Sequence, residues 1–210
     1  MKADLTPNTL AEFWRWYEAN EDELFHLDQN SNELFDRLTE AMHRVDQNLT
    51  FEFSPVLKNG SREFIISAAG NKSSFRSIDA LYSTSPILER WSVIRFRQRR
   101  DLTSDFKVQY AAHLIKVSEV HYAIFKDRKP GKIGLMIFMD GYSLKDRDNW
   151  DQIGYLLIDS ALGEYDVETH VGEILFFSRD SEYFHKAQTL AELPIHFDTM
   201  LGRHAPSSSK

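Results

Sequence analysis

Residues 49–70, Leu49-Thr50-Phe51-Glu52-Phe53-Ser54-Pro55-Val56-Leu57-Lys58-Asn59-Gly60-Ser61-Arg62-Glu63-Phe64-Ile65-Ile66-Ser67-Ala68-Ala69-Gly70, decide the fold. Leu49, Phe51 and Phe53 alternate with Thr50, Glu52 and Ser54, the period-two pattern of a strand with one buried face. Lys58-Asn59-Gly60 supplies a tight turn, and Arg62 to Ala68 reads as a second strand that ends before Gly70. Beyond this hairpin, Phe75, Ile78, Leu81 and Tyr82 mark a short helix closed by Pro86, and Trp91 to Arg97 returns as a third strand. The unit is ββαβ.

The same order recurs downstream. An apolar strand from Val120 to Phe125 leads into Lys129-Pro130-Gly131, where Pro followed by Gly suits a type II turn. Ile133 to Met139 forms the next strand and Gly141 ends it. A helix then carries Trp150, Ile153, Leu157 and Ala161, and Val171 to Phe177 is the last strand. Gly60 and Gly70 are ten residues apart, as are Gly131 and Gly141, and 71 positions separate the two pairs. This spacing points to a structural duplication. A ββαβ unit buries only one sheet face under its own helix. The two units are therefore expected to merge their strands into one mixed, mainly antiparallel sheet with helices packed on it, an α+β fold.

Ahead of these units, Thr6-Pro7 is a helix start: the Thr hydroxyl can accept an orphan N–H while Pro occupies the first helical position. Leu10, Phe13, Trp14 and Tyr17 follow at helical spacing. A second helix is expected near Asn30, with Glu33 as its capping-box partner and Leu34, Leu38, Met42 and Val45 on one face. Trp14, Trp16 and Tyr17 are expected to pack into the core rather than line a partner groove. The chain thus reads as one α+β domain over 1–204: N-terminal helices to 48, a first unit over 49–100, a connector over 101–119, a second unit over 120–178 and a C-terminal segment to 204 holding one amphipathic turn. In the connector, Phe106, Val108 and Tyr110 alternate as an edge strand would. Residues 205–210 are small and polar and are expected to be disordered.

Composition sets limits on function. Of 210 residues, 42% are apolar, including 15 Phe, 8 Tyr and 4 Trp, enough for a substantial core. The absence of Cys excludes disulfides, thiolate catalysis and Cys-ligated metal centres. A formal charge of −7 argues against a general nucleic-acid binder. No apolar run reaches the length of a membrane span and no secretory signal opens the chain, so a cytoplasmic location is expected and no membrane partner. The acceptor patterns Asn48-Leu49-Thr50 and Asn71-Lys72-Ser73 then have no route to glycosylation.

From Trp150 the chain carries Trp150-Asp151-Gln152-Ile153-Gly154-Tyr155-Leu156-Leu157-Ile158-Asp159, then Ala161-Leu162-Gly163-Glu164-Tyr165-Asp166-Val167-Glu168-Thr169-His170-Val171-Gly172. This stretch, together with Leu49 to Gly70, resembles an uncharacterised family of bacterial cytosolic proteins of unknown function. The resemblance implies a bacterial cytosolic protein and brings no catalytic residues with it.

Two runs carry chemistry. If 164–170 is extended, its alternation places Glu164, Asp166, Glu168 and His170 on one face, where adjacent pairs could share a divalent cation or work as general acid and base. The alternative is a solvated strand edge. Neighbours on such a face stand about 7 Å apart, two strand rises, so all four could not share one ion. The second run is Arg95-Phe96-Arg97-Gln98-Arg99-Arg100, in which Arg95, Arg97 and Arg99 would share a strand face and could bind phosphate or carboxylate groups. Both runs are also explained together as cross-strand ion pairs joining Arg97 to Glu164, Asp166 or Glu168. The eight His show no zinc spacing, and nucleophile-elbow, dinucleotide and phosphate-loop motifs are absent.

The leading expectation is a non-enzymatic binding or regulatory protein that uses its sheet or acidic edge to engage another macromolecule, a protein being the candidate partner, and that needs no cofactor. One alternative is a hydrolase or isomerase, with or without a metal, using the acidic and His run; another is a small-anion sensor using Arg95, Arg97 and Arg99.

Overall fold

The computed structural model describes residues 5–26 and 32–203, so Asn30 and the 205–210 tail lie outside the described residues. Contacts divide the chain after Arg97 into two compact units, and the buried apolar side chains form two separate clusters. The class is α+β, with an N-terminal helical pair.

In the first unit, α1 (Pro7–Phe25) starts as its sequence requires: Thr6 Oγ1 accepts the Thr9 N–H at 3.2 Å and Pro7 fills the first turn. Its inner stripe buries Leu10, Phe13, Trp14, Tyr17 and Leu24, while Trp16 is half-buried. Helix α2 (Asn32–Val45) buries Leu34, Leu38, Ala41, Met42 and Val45. Strand β1 (Thr50–Phe53) pairs antiparallel with β2 (Arg62–Ser67). After α3 (Phe75–Ser83), β3 (Trp91–Arg95) pairs parallel with β2, giving the order β1-β2-β3. Phe64 sits at the centre of this core, its ring 4.8 Å from Tyr17 and 5.5 Å from Phe53. The Trp14 Nε1–H donates to the Leu81 carbonyl at 3.1 Å, which pins α1 to α3.

The second unit opens with β4 (Lys107–Tyr110) and β5 (His113–Lys116), a hairpin that forms its own two-stranded sheet. The alternation at Phe106, Val108 and Tyr110 is therefore a real strand but not an added edge of a larger sheet. Strands β6 (His121–Lys126) and β7 (Ile133–Met139) are antiparallel. Helices α4 (Arg147–Leu162) and α5 (Glu164–His170) follow, and β8 (Val171–Ser178) lies parallel to β7. A short β9 (Gln188–Thr189) pairs with the other side of β6, so the order is β8-β7-β6-β9. Helix α6 (Leu193–Met200) closes the described chain and buries Leu193 and Phe197.

The duplication is visible in the register. Thr50↔Ser67 to Phe53↔Phe64 in the first hairpin become His121↔Phe138 to Ile124↔Leu135 in the second, each residue moved by the same 71 positions. The turn glycines repeat with them, at φ 81° and 74° for Gly60 and Gly131 and 82° and 79° for Gly70 and Gly141. Only Gly adopts this left-handed backbone without strain, which is why the turns read clearly in the sequence. In both units the third strand is parallel to the second. The expected merger into one sheet does not occur: among the described residues the strands form sheets of three, two and four. Each unit brings its own cover, α1 and α2 in the first and the β4–β5 hairpin with α6 in the second, so neither needs the other's strands to bury its apolar face.

Candidate functional site

The acidic segment is a helix, not a strand. Gly163 ends α4 with φ 77° and ψ 151°, after which α5 begins at Glu164. Glu164 and Asp166 lie in its first turn and His170 in its last, the placement that complements the helix dipole at each end. Residues two apart on a helix point in nearly opposite directions, so Glu164, Asp166, Glu168 and His170 do not share a face. Glu164 is fully buried. His170 Nε2 lies 3.9 Å from Asp166 Oδ1. Among the described residues no group of three or more His, Cys, Asp or Glu side chains is placed to hold a metal ion.

The arginine run also departs from the strand pattern. Strand β3 stops at Arg95, because Phe96 takes a left-handed φ of 61° and turns its ring inward, 4.6 Å from Phe75. The shared face of Arg95, Arg97 and Arg99 is thereby lost. Arg95 pairs with Asp79 at 2.9 Å, Arg97 approaches Glu52 at 3.6 Å, and Arg99 binds Asp166 and Asp198. Each guanidinium answers to different carboxylates, which removes the convergent anion cradle. The two runs do meet, at Arg99 and Asp166, but through a loop and a helix rather than as cross-strand pairs.

That meeting belongs to a four-residue cluster. Arg99 Nη2 donates to Asp166 Oδ2 at 2.7 Å and to Asp198 Oδ1 at 2.8 Å, Nη1 donates to Asp198 Oδ2 at 2.7 Å, and Nε donates to the Leu162 carbonyl at 3.0 Å. Four of its five donors are thus committed within the second unit. Arg203 holds both oxygens of Asp166 at 2.7 Å. Burial pushes the Asp166 carboxyl upward, yet the Arg203 and Arg99 guanidinium groups outweigh it and hold the group below the usual carboxylate range. Arg99 does the same for Asp198. A cluster so fully satisfied is internal adhesion. Asp198 and Arg203 had no local sequence signal beyond the helix-ending Gly202 between them, φ 69°.

A second polar pair was not visible in the sequence. His113 Nε2 lies 2.6 Å from Asp146 Oδ2, Asp146 Oδ1 accepts from Asn149 at 2.8 Å, and the imidazole packs 4.4 Å from the Trp150 ring. It ties the β4–β5 hairpin to the start of α4.

The surface with the clearest unmet chemistry is the face of the β8-β7-β6-β9 sheet turned away from α4. One face, carrying Tyr122, Leu135, Ile137 and Met139, packs into the core with Ile153, Leu157 and Phe197. The opposite face carries cross-strand rows of His121, Phe138 and Phe177, and of Ala123, Met136 and Leu175. Phe125 covers Gly134 beside them, and a Cβ at Gly134 would collide with its ring. Phe125, Met136, Leu175 and Phe177 are half-buried, and Tyr183 and Phe184 close one end against Phe177 and Phe138. The corresponding face of the first unit is different. Thr50, Glu52, Ser54, Glu63 and Ser67 occupy the positions that become His121, Ala123, Phe125, Gly134 and Phe138 in the second. On the core face, by contrast, Phe51, Phe53, Phe64 and Ile66 are matched by Tyr122, Ile124, Leu135 and Ile137. The repeats keep their cores and also the apolar pair in the middle of this face, Ile65 beside Ile94 and Met136 beside Leu175, and differ at the positions around it, where Ala123 and Phe138 are buried.

Among the described residues no helix is long and apolar enough to cross a membrane. Comparison with protein-family models, with curated proteins and with solved structures finds no match.

Proposed function

We propose that this chain is a non-enzymatic binding protein that docks another protein on the open face of its four-stranded sheet. The observation that carries the reading is the exchange between repeats at equivalent strand positions, from Thr50, Glu52, Ser54, Glu63 and Ser67 to His121, Ala123, Phe125, Gly134 and Phe138, on the sheet face turned away from α4. Apolar side chains left half-buried together on one surface are stabilised by covering them, and Met136 and Leu175, side by side with Phe125 on the neighbouring row, offer aromatic and thioether contact of the kind enriched at protein interfaces. The net charge of −7 favours a protein partner over a nucleic acid. The resemblance at 49–70 and 150–172 supports a bacterial, cytosolic setting.

The test is affinity capture with wild-type protein, Met136→Lys and the control Glu12→Lys on the exposed side of α1. A partner retained by wild type and by the control but lost with Met136→Lys supports the reading. Retention of the same partner by Met136→Lys sinks it.

A further inference from the structure

We propose that β8 is a self-association edge, pairing antiparallel with β8 of a second copy of this chain. The inference is independent of what docks on the open face, since it rests on the strand's outer rim.

Strand β8 is the outermost of the order β8-β7-β6-β9 and, among the described residues, pairs only with β7. At eight residues it is also the longest strand among them. A free edge presents a row of unpaired N–H and C=O groups, and folded chains ordinarily guard such edges with charges, Pro or a bulge. The irregularity in the β7–β8 register falls at its beginning, opposite Ile133 to Leu135. Beyond it, Ile174-Leu175-Phe176-Phe177-Ser178 contains no charge and no Pro, and all five are half-buried rather than covered. Tyr155, 44% exposed, stands edge-on to Phe176 at 5.2 Å and extends the apolar surface beside the seam.

Two charges bracket this segment. Glu173, beside the register irregularity, and Arg179, the first residue past the strand, lie two residues outside Leu175 and Phe177, and neither has an ion-pair partner among the described residues. The Arg179 guanidinium rests over the Phe184 ring, 5.3 Å from its centre, near the end of the strand. An antiparallel pairing centred on Phe176 sets Glu173 opposite Arg179 of the other copy, Leu175 opposite Phe177, and Phe176 opposite itself. The twofold axis repeats each pair, so both charges on both copies are matched. Centring one residue earlier would set the Glu173 carboxylate against a Phe177 ring and leave Arg179 without a counterpart. Charge complementarity thus selects both the occupant and the register.

Sedimentation velocity on wild type, Glu173→Arg, Arg179→Glu and the double swap tests this, with far-UV circular dichroism confirming that each substitution leaves the fold intact. Wild type is expected to dimerise, each single change to weaken the dimer about tenfold by setting like charges opposite each other twice, and the double swap to restore it. A monomeric wild type, a dimer indifferent to the single changes, or a double swap that fails to recover would each overturn the proposal. Met136→Lys, one strand inward, keeps the dimer, which separates this outcome from that of the docking face.

Discussion

Arg203 grips the Asp166 carboxylate with two parallel bonds of 2.7 Å, one to each oxygen. Arg99 joins the same carboxylate and carries the link on to Asp198, so the loop after Arg97, α5 and the end of α6 share one set of charges. The Asp166 side chain keeps only 11% exposure. Such a cluster is sensitive to the loss of a single member, because the remaining charges stay partly desolvated.

Arg99→Ala is therefore expected to destabilise the second unit by about 2 kcal/mol, below the value for a fully buried pair because Arg99 itself is partly wet. Arg99→Lys should recover only part of this, since an ammonium cannot span two carboxylates and a carbonyl as a guanidinium does. Urea denaturation measures both. A loss under about 0.5 kcal/mol for Arg99→Ala, the scale of an ordinary surface change, would contradict the reading.

Acid should weaken the same cluster. Asp166 and Asp198 titrate below their unfolded values, so their contribution is complete above the ordinary carboxylate pKa of about 4 and is lost as pH falls through the lowered native values. Denaturation midpoints across the acid range should fall less steeply in Asp198→Asn than in wild type. Parallel curves would show that Asp198 is not linked to folding.

In the first unit the Trp14 indole N–H donates to the Leu81 carbonyl and to Thr84 Oγ1. Trp14→Phe removes the donor while the Leu81 carbonyl keeps the Thr84 N–H and hydroxyl, so the expected loss is that of one net hydrogen bond, about 1 kcal/mol, read from thermal or urea melts. An unchanged midpoint would mean that packing alone holds α1 to α3.

Gly154 lies within α4 directly beneath Phe176, and a Cβ there would overlap the ring. Ala is the better helix former by about 1 kcal/mol, yet overpacking of this size costs about 1–3 kcal/mol. Gly154→Ala is expected to lower stability on balance, and a stabilised variant would show that Phe176 moves aside freely.

The hairpins were legible because their signals are local. Gly60 and Gly131 mark turns that only Gly makes without strain, and the period of two between Leu49 and Phe53 holds in β1. Segment 164–170 misled for the same reason: Tyr165, Val167 and Thr169 alternate with its charges as a strand would, while the helical cues are the break at Gly163 and carboxylates in the first turn. Arg97 was read as strand because nothing in the sequence announces the left-handed Phe96. The partnership of Arg99 with Asp198 spans 99 residues and leaves no periodic trace. The open face was written in the sequence all along, in the replacement of Glu52 and Glu63 by Ala123 and Gly134, but it becomes readable only when the register aligns the two repeats.

The most direct test of the docking face is site-specific photocrosslinking in cells, with the reactive side chain placed at Met136, at Phe125 and, as a control, at Glu12 on α1. The account predicts one discrete protein adduct from positions 136 and 125 and none from 12. Adducts absent from both sheet positions, or equal at all three, would contradict it.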